Sequence, residues 1–301
     1  MAYSLEETKH MNGICFKILE NNSNIDINNI FFGCALKYIL LGQKGLKGQG
    51  DKNEGIIARY RKQNPFGINR IKKYIKHFGK KNLIIQENNG FYEIRRRSSL
   101  LTPMACFFSM IDDFSNEVSN ITDYKTHIIT KQHTIENKFF RAFKKNKDDK
   151  LKWGDFVIIN YENDRMLYKK VTNELQKSDV KKQNVILKEI EYLRNGFDEW
   201  ECPEYIKMGL DVNLPYELFY KDKEFSYQNE HRIVVNDKKW IFNTKYYYDE
   251  MLKVFYNSGE QLNKYINVSE NSIFNIANSK KEIEGGITIK LRVPITAHEE
   301  N

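Results

Sequence analysis

The chain reads as an α+β protein, on three observations. Ile287, Ile289, Leu291 and Val293 alternate with Thr288, Lys290 and Arg292, the period of two that marks a strand with one face buried and one wet. Ile68, Ile71, Ile75 and Phe78 fall three or four residues apart, the period of a helix. Short apolar runs recur without the regular strand–helix–strand spacing of a doubly wound sheet.

The elements follow in order. The helix over 68–78 turns Arg70, Lys72, Lys73 and Lys76 to its other face. Leu83 to Ile85, Phe91 to Ile94, Met104 to Phe108, Phe156 to Ile159 and Ile233 to Val235 read as strands, most of them bounded by turn residues. Val171 to Asn184 reads as a linker or a long amphipathic helix. A second helix is expected over Ile186, Ile190 and Leu193, stopping at Asn195-Gly196, and a third over Tyr246 to Tyr256. Asn21 to Asn24 and the basic run Lys144 to Lys152 read as surface loops.

At 301 residues with 41% hydrophobic and 13% aromatic content, the chain has ample material for a core and is not a disordered polymer. Cys15, Cys34, Cys106 and Cys202 are far apart and lack C-x-x-C or finger spacing, which argues against a disulfide framework or structural zinc. The apolar stretch Ile30 to Leu41 is interrupted by Lys37 and is too short to span a bilayer. The first fifteen residues carry Glu6 and Glu7 and no apolar signal core, so a soluble cytoplasmic protein is expected. A net charge of +8 favours encounters with phosphates, nucleic acid or an anionic cofactor.

The glycine-dense stretch from Gly45 to Gly55 lacks G-K-[S/T] and carries Asn53 where a dinucleotide fingerprint needs glycine. It reads as a surface turn, or as a loop contacting a nucleotide or acceptor through Asp51 and Glu54. No G-x-S-x-G occurs, and His133 and His231 read as surface or core histidines. Asp123 ahead of Glu136-Asn137-Lys138 could form a magnesium nuclease site, with two carboxylates for the metal and a lysine for the phosphate.

The most informative segment is Phe225-Ser226-Tyr227-Gln228-Asn229-Glu230-His231-Arg232, which leads straight into the apolar run Ile233 to Val235. On extended backbone Gln228 and Glu230 share a face, with Tyr227 and His231 opposite. Three E-x-E pairs also occur, at 189–191, 199–201 and 282–284, but none leads into such a run.

This segment resembles the Q-x-E element of mono-ADP-ribosyltransferases. The resemblance implies that Glu230 is catalytic, bonding the nicotinamide ribose and stabilising an oxocarbenium-like transition state, while Gln228 orients the acceptor. It implies an ADP-ribosyltransferase-like mixed sheet with flanking helices, one domain over 1–301 with a helical insertion at 169–200. NAD would be a substrate, met by Ser109, by Arg59 or Arg61 (with Arg95-Arg96-Arg97 in competition) and by Phe225 or Tyr227. Asp51, Glu54 and Arg232 would contact the acceptor, with asparagine in protein or guanine in nucleic acid as the group modified. Gln49-Gly50-Asp51-x-x-Glu54-Gly55, Phe108-Ser109 and the late F-x-x-Q-x-E-x-R are together similar to bacterial proteins of abortive-infection type. That likeness implies a toxin or anti-phage effector with a cognate antitoxin or defence partner. The chain departs from the family pattern in having no S-T-S motif, only Ser98-Ser99 and Ser109. A nuclease and a non-enzymatic nucleic-acid- or protein-binding defence component are the alternatives.

Overall fold

The computed structural model describes residues 14–20, 28–44, 50–110, 121–123, 128–135, 156–195, 198–210, 213–249, 251–252, 254–257, 262–268, 272–274 and 287–294. In chain order the elements are β1 (Ile14–Glu20), β2 (Asn29–Cys34), α1 (Ala35–Gln43), β3 (Ile56–Arg61), α2 (Pro65–Phe78), β4 (Leu83–Asn88), β5 (Phe91–Arg96), α3 (Arg97–Leu100), β6 (Pro103–Met110), β7 (Ile121–Asp123) and β8 (Ile128–Ile135). They continue with β9 (Phe156–Asn163), α4 (Asp164–Lys177), β10 (Val185–Glu189), β11 (Glu191–Arg194), β12 (Trp200–Glu201), α5 (Pro203–Lys207), β13 (Tyr220–Asp222), β14 (Glu230–Val235), β15 (Tyr246–Asp249), β16 (Val254–Asn257), β17 (Lys264–Asn267), β18 (Ser272–Phe274) and β19 (Ile287–Pro294). The protein is α+β, with mostly antiparallel sheets and few helices.

The main sheet runs β10-β14-β6-β1-β9-β18, with β2 joining β6 and β17 joining β2. One of its faces buries Cys15, Phe32, Ala105, Phe107, Ile159 and Ile233 against Leu167, Val171 and Leu175 of α4. The other buries Met104 and Val234 with Leu36 and Ile39 of α1. A second sheet, β12-β3-β5-β4, packs Ala58, Tyr60 and Ile94 on Ile71 and Tyr74 of α2. Pro65 at the first helical position and the Asn64 side chain, accepting from the Phe66 N–H at 3.0 Å, start α2, and Gly79 at φ 81° ends it. Asn89-Gly90, both at positive φ, close the β4–β5 hairpin as the twist of the strands demands.

Two expected helices are strands. Val185 to Arg194 forms β10, antiparallel to β14, and β11, parallel to β13. The spacing of Ile186 and Ile190 imitated a helix because Ile190 sits between the two strands. Residues 246–257 form a hairpin in which Tyr247 stacks on Tyr256 at 5.0 Å, and Asp249 accepts the Met251 and Leu252 N–H groups across the turn. Five β-prone aromatics, Tyr246, Tyr247, Tyr248, Phe255 and Tyr256, outweighed the apparent period. Within the expected helical insertion at 169–200, α4 ends at Lys177, a 3-10 turn spans Lys182–Asn184, and β10, β11 and the start of β12 follow. Asn21 to Asn24 and Lys144 to Lys152 lie outside the described residues.

Candidate functional site

Residues 50–55 are not a surface turn. Asp51, Asn53 and Glu54 are buried, and a Cβ at Gly50 would come within 2.1 Å of the Gly42 backbone nitrogen at the end of α1. Glycine is needed there because two backbones touch. Three arginines from different strands converge on this turn. Arg95 of β5 donates to the Lys52 and Glu54 carbonyls at 3.0 and 3.1 Å. Arg194 of β11 donates to the Asn53 carbonyl and pairs with Asp51 and Asp222, each at 3.2 Å. Arg232 of β14 takes both Glu54 oxygens at 2.7 and 2.9 Å and gives its Nε to Glu230 at 2.6 Å. Asp51, Glu54, Arg194 and Arg232 are all at most 4% exposed, so the turn is an ionic hub binding three sheets together.

Glu230 stands at the edge of this hub, as the first residue of β14. Lys221 of β13 donates to Glu230 and, at 2.9 Å, to Gln228 Oε1. The two residues of the Q-x-E element thus do meet, though not by strand alternation. Gln228 ends a 3-10 turn over 223–228, and Asn229 is left-handed at φ 40°. Lys221, rather than the pleat, gathers the pair. Burial pushes the Glu230 carboxyl up, but Arg232 and Lys221 outweigh it and hold the group at about 2. Glu230 is ionised at neutral pH, so it has no proton to give as a general acid and is a weak base.

Beside this anion the main sheet opens. β1 pairs with β6 only from Ile14↔Met110 to Phe16↔Phe108, then follows β9. β2 follows β17 and meets β6 only at Gly33↔Met104 and Cys34↔Pro103. Between Ala105 and Phe107 that edge of β6 has neither strand in register, which leaves a wedge. The Lys17 ammonium enters it, 5.9 and 5.8 Å from the ring centres of Phe31 and Phe107. Cys106 lies opposite Arg232 in the β6–β14 ladder and bonds the Tyr38 side chain of α1. A Cβ on Gly33 would sit 3.2 Å from the Lys37 side chain and 3.5 Å from the Tyr38 ring. Lys17, Phe31, Lys37, Tyr38, Cys106 and Tyr192 are all half-buried.

Burial brings the Lys17 amine down to about 8, with Cys106 opposing and Lys37 reinforcing. Burial lifts the Cys106 thiol to about 11, so it is no thiolate nucleophile at neutral pH. A lysine held below its ordinary range costs stability when charged. Between pH 8 and 10.5 the unfolded chain binds a proton that the folded chain does not, so Lys17 makes stability rise with pH across that window. Lys17→Met is expected to stabilise the protein at pH 7 by about 2 kcal/mol, discounted for partial exposure, or about 4 °C in thermal midpoint. A calorimetric scan at pH 7 and pH 10.5 checks it, since the gain should vanish at the higher pH.

The other expected site residues divide. Phe225 joins the cluster, with the Lys221 ammonium 5.5 Å above its ring. Ser109 is on β6 opposite Cys15, but its side chain and that of Tyr227 lie outside the described residues. Arg59 is buried against Glu93 at 2.8 Å in the second sheet, away from the role assigned to it with NAD. Arg61 is exposed at the end of β3, beside a shallow pocket of about 510 Å³ lined with Gln63, Asn64 and Glu199. Asp51, Glu54 and Arg232, expected on the acceptor, are instead spent inside the hub. Arg96 is spent on Glu217, at 2.8 Å. Glu201 ends β12 and accepts from Tyr60, Arg70 and Tyr74 as a core anion. Of the nuclease set, Asp123 ends β7 and pairs with Ile128, whereas Glu136 and Lys138 lie outside the described residues. Among the described residues no cluster of His, Cys, Asp and Glu could hold a metal, and no helix is long and apolar enough to cross a membrane.

Fold and site together define an α+β protein whose sheet splits beside a fixed buried anion. No protein-family model matches the chain, and no curated protein or solved structure matches it.

Proposed function

We propose that the wedge beside Glu230 is the site of ADP-ribose transfer from NAD to a macromolecular acceptor. The observation that carries this reading is an ionised carboxylate locked in place with an amide neighbour, Lys221 gripping both. As the glycosidic C–N bond breaks, its electron pair leaves with neutral nicotinamide and positive charge grows on the ribose. A preorganised anion nearby lowers that barrier without reorganising. The acceptor nucleophile then bonds to the ribose carbon and gives its proton to solvent. Gln228 supplies an amide to orient that acceptor, and Phe225 a ring against it. In this reading the protein is an effector, of the toxin or anti-phage kind, held in check by a cognate partner.

A second reading has its own observation. Both Glu230 oxygens are already committed, one to Arg232 and one to Lys221, so the carboxylate also works as a keystone of the hub. The protein would then bind a partner without turning over NAD.

Incubation with labelled NAD, mixed nucleic acid and lysate separates the two. Wild type should release nicotinamide and label one macromolecular fraction. Glu230→Gln, assayed well below its own melting temperature, should lose about 10²–10³-fold. NAD left intact by wild type would sink the transfer reading and leave the keystone.

A further inference from the structure

We infer that the outer face of α2 is a docking surface for single-stranded nucleic acid. This goes beyond the transfer chemistry and does not rest on it. From Arg61 to Asn82 the chain carries eight Lys and Arg residues and no Asp or Glu. Three of the eight are spoken for: Lys62 pairs with Glu87, Arg70 with Glu201, and Arg61 lies 5.8 Å over the Phe91 ring. The other five, Lys72, Lys73, Lys76, Lys80 and Lys81, are exposed and have no carboxylate partner among the described residues.

Their placement follows from the packing. Ile71 and Tyr74 turn one side of α2 into the core of the second sheet, so Lys72, Lys73 and Lys76 face water, and Lys80 and Lys81 extend the line in the 3-10 turn after Gly79. The last helical turn explains a cation at Lys76, where the helix dipole favours it. It does not explain Lys72 and Lys73 a turn earlier, nor the absence of acids. Phe66 opens the same helix 64% exposed, seven residues before Lys73 and hence on the same side, with Ile68 also exposed. An aromatic beside a row of free cations suits a strand whose phosphates meet the lysines and whose unpaired bases stack on the ring. An acidic protein surface would use the cations but leave Phe66 in water.

Fluorescence anisotropy with a labelled 20-nucleotide RNA and a 20-base-pair DNA, at 50 and 200 mM salt, tests this. Wild type should bind the single strand with steep salt dependence. The triple variant Lys72→Gln/Lys73→Gln/Lys76→Gln, built from exposed side chains, should bind at least tenfold more weakly, with a log–log salt slope flatter by about two. Phe66→Ala should weaken RNA binding more than duplex binding. A control of equal charge change, Lys181→Gln/Lys182→Gln/Lys207→Gln, should bind as wild type does. Equal losses in both triple variants would mean that net charge alone attracts the ligand. Either that result, tighter binding to polyglutamate than to RNA, or no wild-type binding at 50 mM salt overturns the proposal. Nicotinamide release is unaffected by any of these outcomes, so the two proposals fail separately.

Discussion

Arg232→Met should cost about 3–5 kcal/mol, enough to leave much of the protein unfolded at 37 °C. Methionine fills a similar volume, so the loss is electrostatic rather than a cavity. Arg232 is 1% exposed and is the partner of two buried carboxylates, holding Glu54 by both oxygens and Glu230 by one. It also donates to the Leu218 carbonyl. Without it Glu54 is stranded and Glu230 keeps only Lys221. Glu230, still buried and now without Arg232, would gain stability by taking up a proton, so the deficit of the variant should shrink as pH falls from 7 toward 4.5. The triple replacement Glu54→Gln/Glu230→Gln/Arg232→Met should recover a good part of the loss, because the cost lies in unpaired charge and not in the pairs themselves. Urea unfolding of the three proteins at pH 7 and 4.5 gives the comparison. A variant as stable as wild type at pH 7 would show that the hub is not electrostatically coupled.

Acid should loosen the wild-type protein in a defined window. The Glu230 carboxyl is held at about 2 when folded and titrates in its ordinary range near 4.5 when unfolded. Between those values the unfolded chain binds a proton that the folded chain refuses, so stability rises with pH there. The stabilisation is fully present above about pH 4.5 and is lost as pH falls toward 2, worth about 3 kcal/mol in all. Glu93, also drawn down, by Arg95 and Arg59 against its burial, acts in the same direction. Urea midpoints from pH 7 to 2.5 should therefore fall most steeply below pH 4.5. Glu230→Gln should be less stable than wild type at pH 7, and the two should converge near pH 2.5. This coupling also qualifies the enzymatic test: Glu230→Gln disturbs a load of buried charge, so activity and melting must be read on the same sample.

Much of the fold was legible in the sequence where local pattern and tertiary packing agree. The alternation at 287–293 and the spacing at 68–78 became β19 and α2 as read. The runs at 83–85, 91–94, 104–108, 156–159 and 233–235 became strands β4, β5, β6, β9 and β14. Reading failed where a helical spacing arose by chance between strands, as at Ile186, Ile190 and Leu193, and where the tyrosines of 246–256 were weighed by spacing and not by β propensity. Of the site, Gln228 and Glu230 were legible because polar residues immediately before an apolar run are conspicuous. Lys221 was not, since the 3-10 turn at 223–228 is what folds Gln228 and Glu230 back onto it, and Arg194 was not, since Asp51 and Asn53 stand far off in the chain. Lys17 left a faint signal, one cation in the otherwise apolar run Ile14 to Leu19. The glycine-dense turn looks solvated in the sequence because its partners come from distant strands: Arg194 and Arg232 meet its carboxylates and Arg95 its backbone carbonyls.

Glu230 is an ion fixed between Arg232 and Lys221. Carbon-13 NMR of the glutamate carboxyls, with the Glu230 signal assigned by its disappearance in Glu230→Gln, reads that ion directly. The resonance should stand at the ionised position, unmoved from pH 7 to pH 4. A midpoint at or above the ordinary 4.5 would contradict it.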